Sequence, residues 1–409
     1  MLELKDVTLR LKREDRILAE EFSFTIAKGD KAVIIGEEGN GKSTLLKFVF
    51  DPKLVEDYCE AEGRVIPRGR MGYLPQSMDA ALGSIPIRRY FEPVEPFRHA
   101  DIPIQLEIDP DLLFSSQTMG SLSGGEKVKL LLCRILMEEP DILLLDEPRN
   151  DLDLDTLMWL ERFLENTRLP VLYISHDETL IENTANTIIH MEQLIRKSRC
   201  RITVSREDYR SYLDRRRRQM DHQDQVAQKQ RDDFRRQQQR WQQIYDRVDH
   251  VQRTISRKDS SGGRLLKKKM HAVMATGKRL EREKEDFLDF SEEEEAIITR
   301  FDADIRIPSG KTVLDWSLDC LQAGDRMLSQ DLHLFLAGSK TVGIIGHNGV
   351  GKTTLLRRLW EELRERKDIT AAYMPQNYSD VLDYQQTPVE HLAENYTKDE
   401  ITRARTCLG

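Results

Sequence analysis

Lys31-Ala32-Val33-Ile34-Ile35-Gly36-Glu37-Glu38-Gly39-Asn40-Gly41-Lys42-Ser43-Thr44-Leu45-Leu46 is the stretch on which the fold turns. A short apolar run, Ala32 to Ile35, leads directly into a glycine-rich loop, and the loop into a helix-forming segment. Strand, glycine loop and helix in that order are what a phosphate-binding loop requires. The glycines let backbone N–H groups converge on phosphate oxygens, and the helix N-terminus adds the positive end of its dipole. Lys42 is placed to neutralise β- and γ-phosphates, and the Ser43 hydroxyl to hold Mg2+.

The same pattern returns 310 residues later as Gly346-His347-Asn348-Gly349-Val350-Gly351-Lys352-Thr353-Thr354, preceded by Thr341-Val-Gly-Ile-Ile. Each copy is followed by a second matching segment, Met71-Gly-Tyr-Leu-Pro-Gln76 and Ala371-Ala-Tyr-Met-Pro-Gln376. A repeat of this length means two homologous domains, and the second loop carries the same expectations as the first, with Lys352 on phosphate and Thr353 on Mg2+. Between them, from about Tyr209 to Glu285, runs a Gln/Arg/Lys-rich stretch without proline, broken only at Ser260-Ser-Gly-Gly263. This predicts two helices joined by a turn. The expected architecture is α/β: two P-loop domains, 1–206 and 297–409, linked by an antiparallel helical hairpin over 207–296, with the second P-loop domain incomplete.

Three further elements follow the first loop. Leu122-Ser123-Gly124-Gly125-Glu126 precedes the helical pattern Val128, Leu131, Leu132, Ile135, Leu136 and offers a second helix N-terminus to phosphate. Ile142-Leu-Leu-Leu-Asp146-Glu147 reads as a buried strand ending in two carboxylates. Asp146 suits Mg2+, and Glu147 can take a proton from an attacking water. Val171-Leu-Tyr-Ile-Ser-His176-Asp177 is another buried strand, ending in a histidine able to reach the γ-phosphate.

This ordered set resembles the ATP-binding cassette superfamily, whose Walker A loop, Q-loop, signature, Walker B, D-loop and switch histidine match Gly36 to Ser43, Gln76, Leu122 to Glu126, Ile142 to Glu147, Asn150 to Asp153 and His176. The resemblance implies ATP with Mg2+ as ligands, Glu147 and His176 as the catalytic pair, and Ser43, Gln76 and Asp146 around the metal, with Thr353 and Gln376 repeating the metal role in the second copy. It also implies that each ATP lies between the Walker A loop of one cassette and the signature of the other. Tandem cassettes joined by a charged helical linker resemble the ABC-F family of ribosome-associated ATPases, and Glu207-Asp-Tyr-Arg-Ser-Tyr-Leu-Asp is similar to that family's linker entry.

Some positions depart from the pattern. The aromatic residue on which adenine usually stacks is expected near Lys12 or Arg13, and neither is aromatic. Arg149 stands where threonine is usual, and the step of 45 from Gln76 to Ser121 leaves little room for an arm insertion. The 409 residues include no second signature, Walker B or switch histidine. The expectation is a piece of a longer tandem ATPase whose own hydrolysis is feeble.

Composition sets the remaining bounds. No window approaches the roughly 18–20 apolar residues of a membrane span, and the start at Met1 shows no export signal, so a soluble, cytoplasmic protein is expected. Five scattered cysteines argue against a disulfide framework or a zinc site. The formal charge is −8, yet residues 214–284 hold 21 Lys/Arg against 10 Asp/Glu, an excess of +11 that leaves −19 for the rest. A basic hairpin with Arg257, Lys258, Arg264, Lys267, Lys268 and Lys269 near its tip suits phosphate contacts and counterion release from RNA. By resemblance, its partners are ribosomal RNA and peptidyl-tRNA, in translation or antibiotic protection; a dimer through the cassettes is left open. The alternative is the ATPase subunit of a membrane transporter.

Overall fold

The computed structural model describes residues 2–149, 152–254, 260–285, 307–324, 326–375, 382–383, 385–393 and 397–408. The chain opens with an antiparallel pair, β1 (Leu2–Leu11) and β2 (Arg16–Ile26), then β3 (Lys31–Ile35), α1 (Lys42–Phe50), β4 (Cys59–Pro67) and β5 (Met71–Leu74). Two short helices, α2 (Ile87–Phe91) and α3 (Asp101–Gln105), lead to α4 (Gly124–Met137), β6 (Ile142–Asp146), α5 (Leu154–Asn166), β7 (Val171–Ile174), α6 (Glu178–Thr184), β8 (Thr187–Gln193), α7 (Leu194–Lys197) and β9 (Arg199–Ser205).

The main sheet runs β5-β6-β7-β3-β8-β9, parallel through β8, with β9 antiparallel at the edge. A second sheet, β2-β1-β4, is antiparallel. The central strands are apolar throughout because both faces are covered. Val33, Leu143, Leu145, Val171 and Tyr173 pack into one core with α4 and α5 residues such as Leu132 and Leu160. Ala32, Ile34, Leu144, Leu172 and Ile174 turn the other way, onto Leu9, Phe24 and Leu46. The alternation is the two-residue period of a strand sandwiched between two layers.

Beyond the sheet, α8 (Tyr209–Thr254) and α9 (Ser260–Glu285) form the hairpin. Its root is fastened to the cassette by charge. Glu192 on β8, 1% exposed, accepts from Arg201 Nε and Nη2 at 2.8 and 3.0 Å and from Arg216 of α8. His190 Nδ1 lies 2.7 Å from the Tyr212 hydroxyl. Burial opposes the Glu192 carboxylate, but the two arginines outweigh it and hold its pKa at about 2. Burial lowers that of His190 to about 4. Higher in the hairpin, the Trp241 indole donates to the Val273 carbonyl at 2.8 Å, and its ring leaves no room for a Cβ on Gly277. The two helices therefore form a seam around these three residues.

One expectation shifts. Ser260-Ser-Gly-Gly263 forms the first turn of α9 rather than the connection. The first turn of a helix carries no intrahelical N–H partners, so glycine is tolerated there better than in an interior.

The second copy contains the hairpin β10 (Thr312–Ala323) and β11 (Arg326–Ala337), and α10 (Lys352–Arg364). The strand predicted before its loop, Thr341 to Ile345, does not form, and Ile345 is 83% exposed. In the first copy β3 gains its hydrogen bonds from β7 and β8, which come from residues 171–193. Among the described residues, no strand follows α10 to do the same.

Candidate nucleotide site

Parallel strands deliver their next residues to a common edge, and the crevice beyond their carboxyl ends is where such sheets bind ligands. Here four neighbouring strands, β5, β6, β7 and β3, end respectively next to Gln76, Glu147, His176 and the glycine loop. The order of strands in space, which no sequence spacing reveals, brings these motifs together.

The loop owes its shape to three left-handed glycines, Gly36 (φ 144°), Gly39 (φ 79°) and Gly41 (φ 91°). Gly36 is also packed so closely that a Cβ would fall 2.1 Å from the Met191 carbonyl oxygen. Asn40 donates to the same carbonyl at 3.0 Å. Lys42 Nζ donates to the carbonyls of Gly36 and Glu37, both at 2.8 Å. This ammonium, on a side chain folded over its own loop, is the charge that incoming phosphates would take over.

Ser43 Oγ donates to Asp146 Oδ1 at 2.8 Å, and Tyr73 donates to Asp146 Oδ2 at 3.3 Å. Asp146 is fully buried. Burial raises its pKa above the ordinary carboxylate value, against the opposing hydrogen bond from Ser43, the charge of Lys47 and the hydrogen bond from Tyr73. A hydroxyl–carboxylate pair of hard oxygens beside a phosphate loop fits Mg2+, which takes few protein ligands and keeps its waters. Ser43 and Asp146 could hold the ion, which would draw charge from the transferred phosphoryl group.

Glu147 holds a left-handed backbone (φ 47°), uncommon for this residue type, at the end of β6. Its carboxylate accepts from Gln76 Nε2 at 3.0 Å and lies 3.7 Å from His176 Nε2. Burial and the nearby Lys42 charge lower the His176 pKa, while Glu147 and Glu38 oppose them. The expected proton acceptor, Q-loop glutamine and switch histidine thus share one cluster. Arg149 forms an ion pair with Asp177, whose side chain caps α6 immediately after His176. The departure from threonine thereby ties the exit of β6 to the histidine loop.

The signature turn is built as a reciprocal cap. Ser123 donates through its N–H (2.8 Å) and Oγ (2.7 Å) to Glu126 Oε2, and accepts from the Glu126 N–H at 3.3 Å. Gly125 is packed against Thr156 in the first turn of α5, where a Cβ would meet Oγ1 at 2.4 Å. That turn also receives the second phosphate loop. The Asn348 N–H donates to Asp153 Oδ2 at 3.3 Å, and His347 Nδ1 is 3.0 Å from Asp155 Oδ2. Lys352 Nζ donates to Gly346 and His347 carbonyls at 2.6 and 2.9 Å, as Lys42 does in the first copy.

Not every expected residue enters a site. Gln376, Arg257, Lys258, Asn150 and Asp151 lie outside the described residues, and Arg264 has no described side chain. Lys267, Lys268 and Lys269 are exposed on α9. Lys12, near which a base-stacking aromatic is expected, instead donates to the Glu56 carbonyl at 2.6 Å. Leu11 and Arg16, which no sequence motif marks, line the cavity of about 380 Å³ that runs along the first loop. Tyr73 is likewise outside the expected set, although its recurrence as Tyr373 in the repeat is a signal that could have found it.

Residues 19–150 match a family described as ABC transporter. Over 389 residues the chain is 28% identical to the energy-dependent translational throttle protein EttA of Haemophilus influenzae, covering 84% of this chain and 63% of that protein. It is 25% identical to the probable ATP-binding protein YheS of Escherichia coli, over 98% of this chain and 64% of YheS. It is 27% identical to the putative ATP-binding protein YdiF of Bacillus subtilis, over 72% of this chain and 42% of YdiF. The matched part is thus less than two thirds of each relative's length.

Proposed function

We propose that this chain, an ATP-binding protein similar to the tandem cassette proteins of the ABC-F group, acts on the ribosome, in translation or its protection, through the basic hairpin between its cassettes. In this reading ATP binding draws the cassettes together and moves the hairpin. Hydrolysis, with Glu147 as proton acceptor and Ser43 and Asp146 on Mg2+, lets the complex part.

The carrying observation is the placement of the charge. An excess of +11 lies over residues 214–284, and the first of the two helices there is pinned at its root by Glu192 to β8, next to the Met191 carbonyl that touches Gly36. The phosphate loop and the basic hairpin therefore meet on adjacent residues of one strand. The described residues include no helix long and apolar enough to cross a membrane. That fact does not separate the proposal from a transporter's ATPase subunit, whereas the basic hairpin favours RNA.

The test is co-sedimentation with ribosomes over a salt series, with a non-hydrolysable ATP analogue. Changing Lys267, Lys268 and Lys269 together to glutamate takes the local excess from +11 to +5 without touching the Trp241 seam. Affinity should fall, and its log–log salt slope should flatten by about 0.7–0.9 for each phosphate that is no longer neutralised. A variant that sediments as well as the parent at every salt concentration would leave the basic face as solvated surface and move the reading toward a transporter subunit.

A further inference from the structure

A nucleotide needs two kinds of support, and the first cavity supplies only one in the expected form. Lys42, Ser43, Gln76 and Glu147 mark its phosphate end. Its opposite wall is the β1–β2 hairpin, and among the described residues no aromatic ring lines the cavity. What the hairpin offers is Leu11 and Arg16, directly paired across the two strands and hence on one face of the sheet. Leu18 lies under Gly41, so the same hairpin also packs beneath the loop.

Arg16 is held rather than splayed into solvent. Its Nη2 donates to the Gly39 carbonyl at 2.9 Å, and its side chain is 17% exposed. Its buried Nε makes no hydrogen bond among the described residues, with the Glu14 carboxylate 3.5 Å away. A guanidinium is planar, weakly hydrated and able to stack on a flat π-system. Beside the leucine of its cross-strand partner it forms a flat cationic and apolar wall.

We propose that Arg16, backed by Leu11, is the base platform of the first site, and that the site therefore accepts purine nucleoside triphosphates with little distinction between adenine and guanine. Stacking reads the face of a base rather than its edge, so the exocyclic groups that separate the two purines go largely unread. The inference rests on the first loop binding nucleotide, as the proposed function has it, and names which nucleotides it takes.

The experiment measures ATP, GTP and inorganic tripolyphosphate binding to the 409-residue chain carrying Lys352→Ala, so that only the first loop is read. Parent ATP and GTP affinities should agree within about threefold. Arg16→Ala should weaken both by about tenfold or more and leave tripolyphosphate unchanged; Arg16→Tyr should restore them. Arg16→Lys, which keeps the charge but not the plane, should behave like alanine and guards against a folding explanation. Equal weakening of tripolyphosphate would make Arg16 a brace of the loop through Gly39 and overturn the proposal. So would a strong ATP preference in the parent, or no change with Arg16→Ala. If the parent binds no nucleotide at all, the reading of the first loop falls together with this one.

Discussion

The two phosphate loops are nearly the same object in different surroundings. Their glycines match in conformation, with φ of 144°, 79° and 91° in the first and 154°, 79° and 100° in the second. Both lysines fold back onto the same two carbonyls of their loops. Yet β3 is buried along its whole length, whereas Thr341 to Ile345 is exposed and forms no strand. Loop conformation is therefore local chemistry, set by glycine spacing and the helix start. Burial is supplied from outside by β7, β8 and the carbonyl of Met191. Only the first loop has both among the described residues, together with the carboxylates of Asp146 and Glu147.

The comparison breaks most visibly at its glycines. Gly36→Ala forces a Cβ onto backbone at 2.1 Å while keeping a conformation that only glycine adopts easily. The expected cost is about 3–5 kcal/mol, with loss of first-site nucleotide binding. Gly346→Ala meets only the end of the Val350 side chain at 3.2 Å and should cost about 1–2 kcal/mol, confined to the second copy. Paired urea melts would decide this, and equal destabilisation would mean that the second loop is packed as tightly as the first.

A smaller effect is expected where the first cassette meets the hairpin. Glu192→Gln leaves Arg216 without its buried counter-charge and should destabilise the cassette on the order of 3 kcal/mol, less whatever the half-exposed Arg201 recovers from water. The pH dependence follows from the same group. With a folded-state pKa of about 2 against an ordinary 4.5, Glu192 contributes fully above 4.5, and its contribution is lost as pH falls through 2. His190, neutral when folded with a pKa of about 4, loses stability over the higher window from 6.5 down to 4. Acid titration followed by circular dichroism should show the lower window in the parent and not in Glu192→Gln. A parent whose stability rises between pH 4.5 and 2 would contradict the assignment.

Much of the first site is legible in the sequence because each motif follows its own strand, and parallel strands carry their ends to one edge. The base-facing wall is not. The resemblance points to Lys12 or Arg13, in the turn after β1, whereas the residues that reach the cavity are Leu11 and Arg16, set opposite each other by the β1–β2 pairing. The strand that does not form in the second copy is illegible for a different reason. Thr341-Val-Gly-Ile-Ile is apolar enough for β3's role, but a central parallel strand is stabilised by its neighbours rather than by its own composition. Residues 260–263 read as a connection because a glycine pair marks a turn as readily as it sits in a helix start.

The central claim, that the first loop is the built nucleotide site of these 409 residues, is tested most directly by calorimetric titration of Mg-ATP into the parent, Lys42→Ala and Lys352→Ala. Removing the Lys42 ammonium should weaken the dominant binding event by about 100-fold, the worth of a charge-assisted contact to phosphate. Lys352→Ala should shift that event by less than about threefold, since among the described residues no carboxylate pairs with Thr353 as Asp146 does with Ser43. Equal losses in the two variants, or a larger loss in Lys352→Ala, would contradict the account.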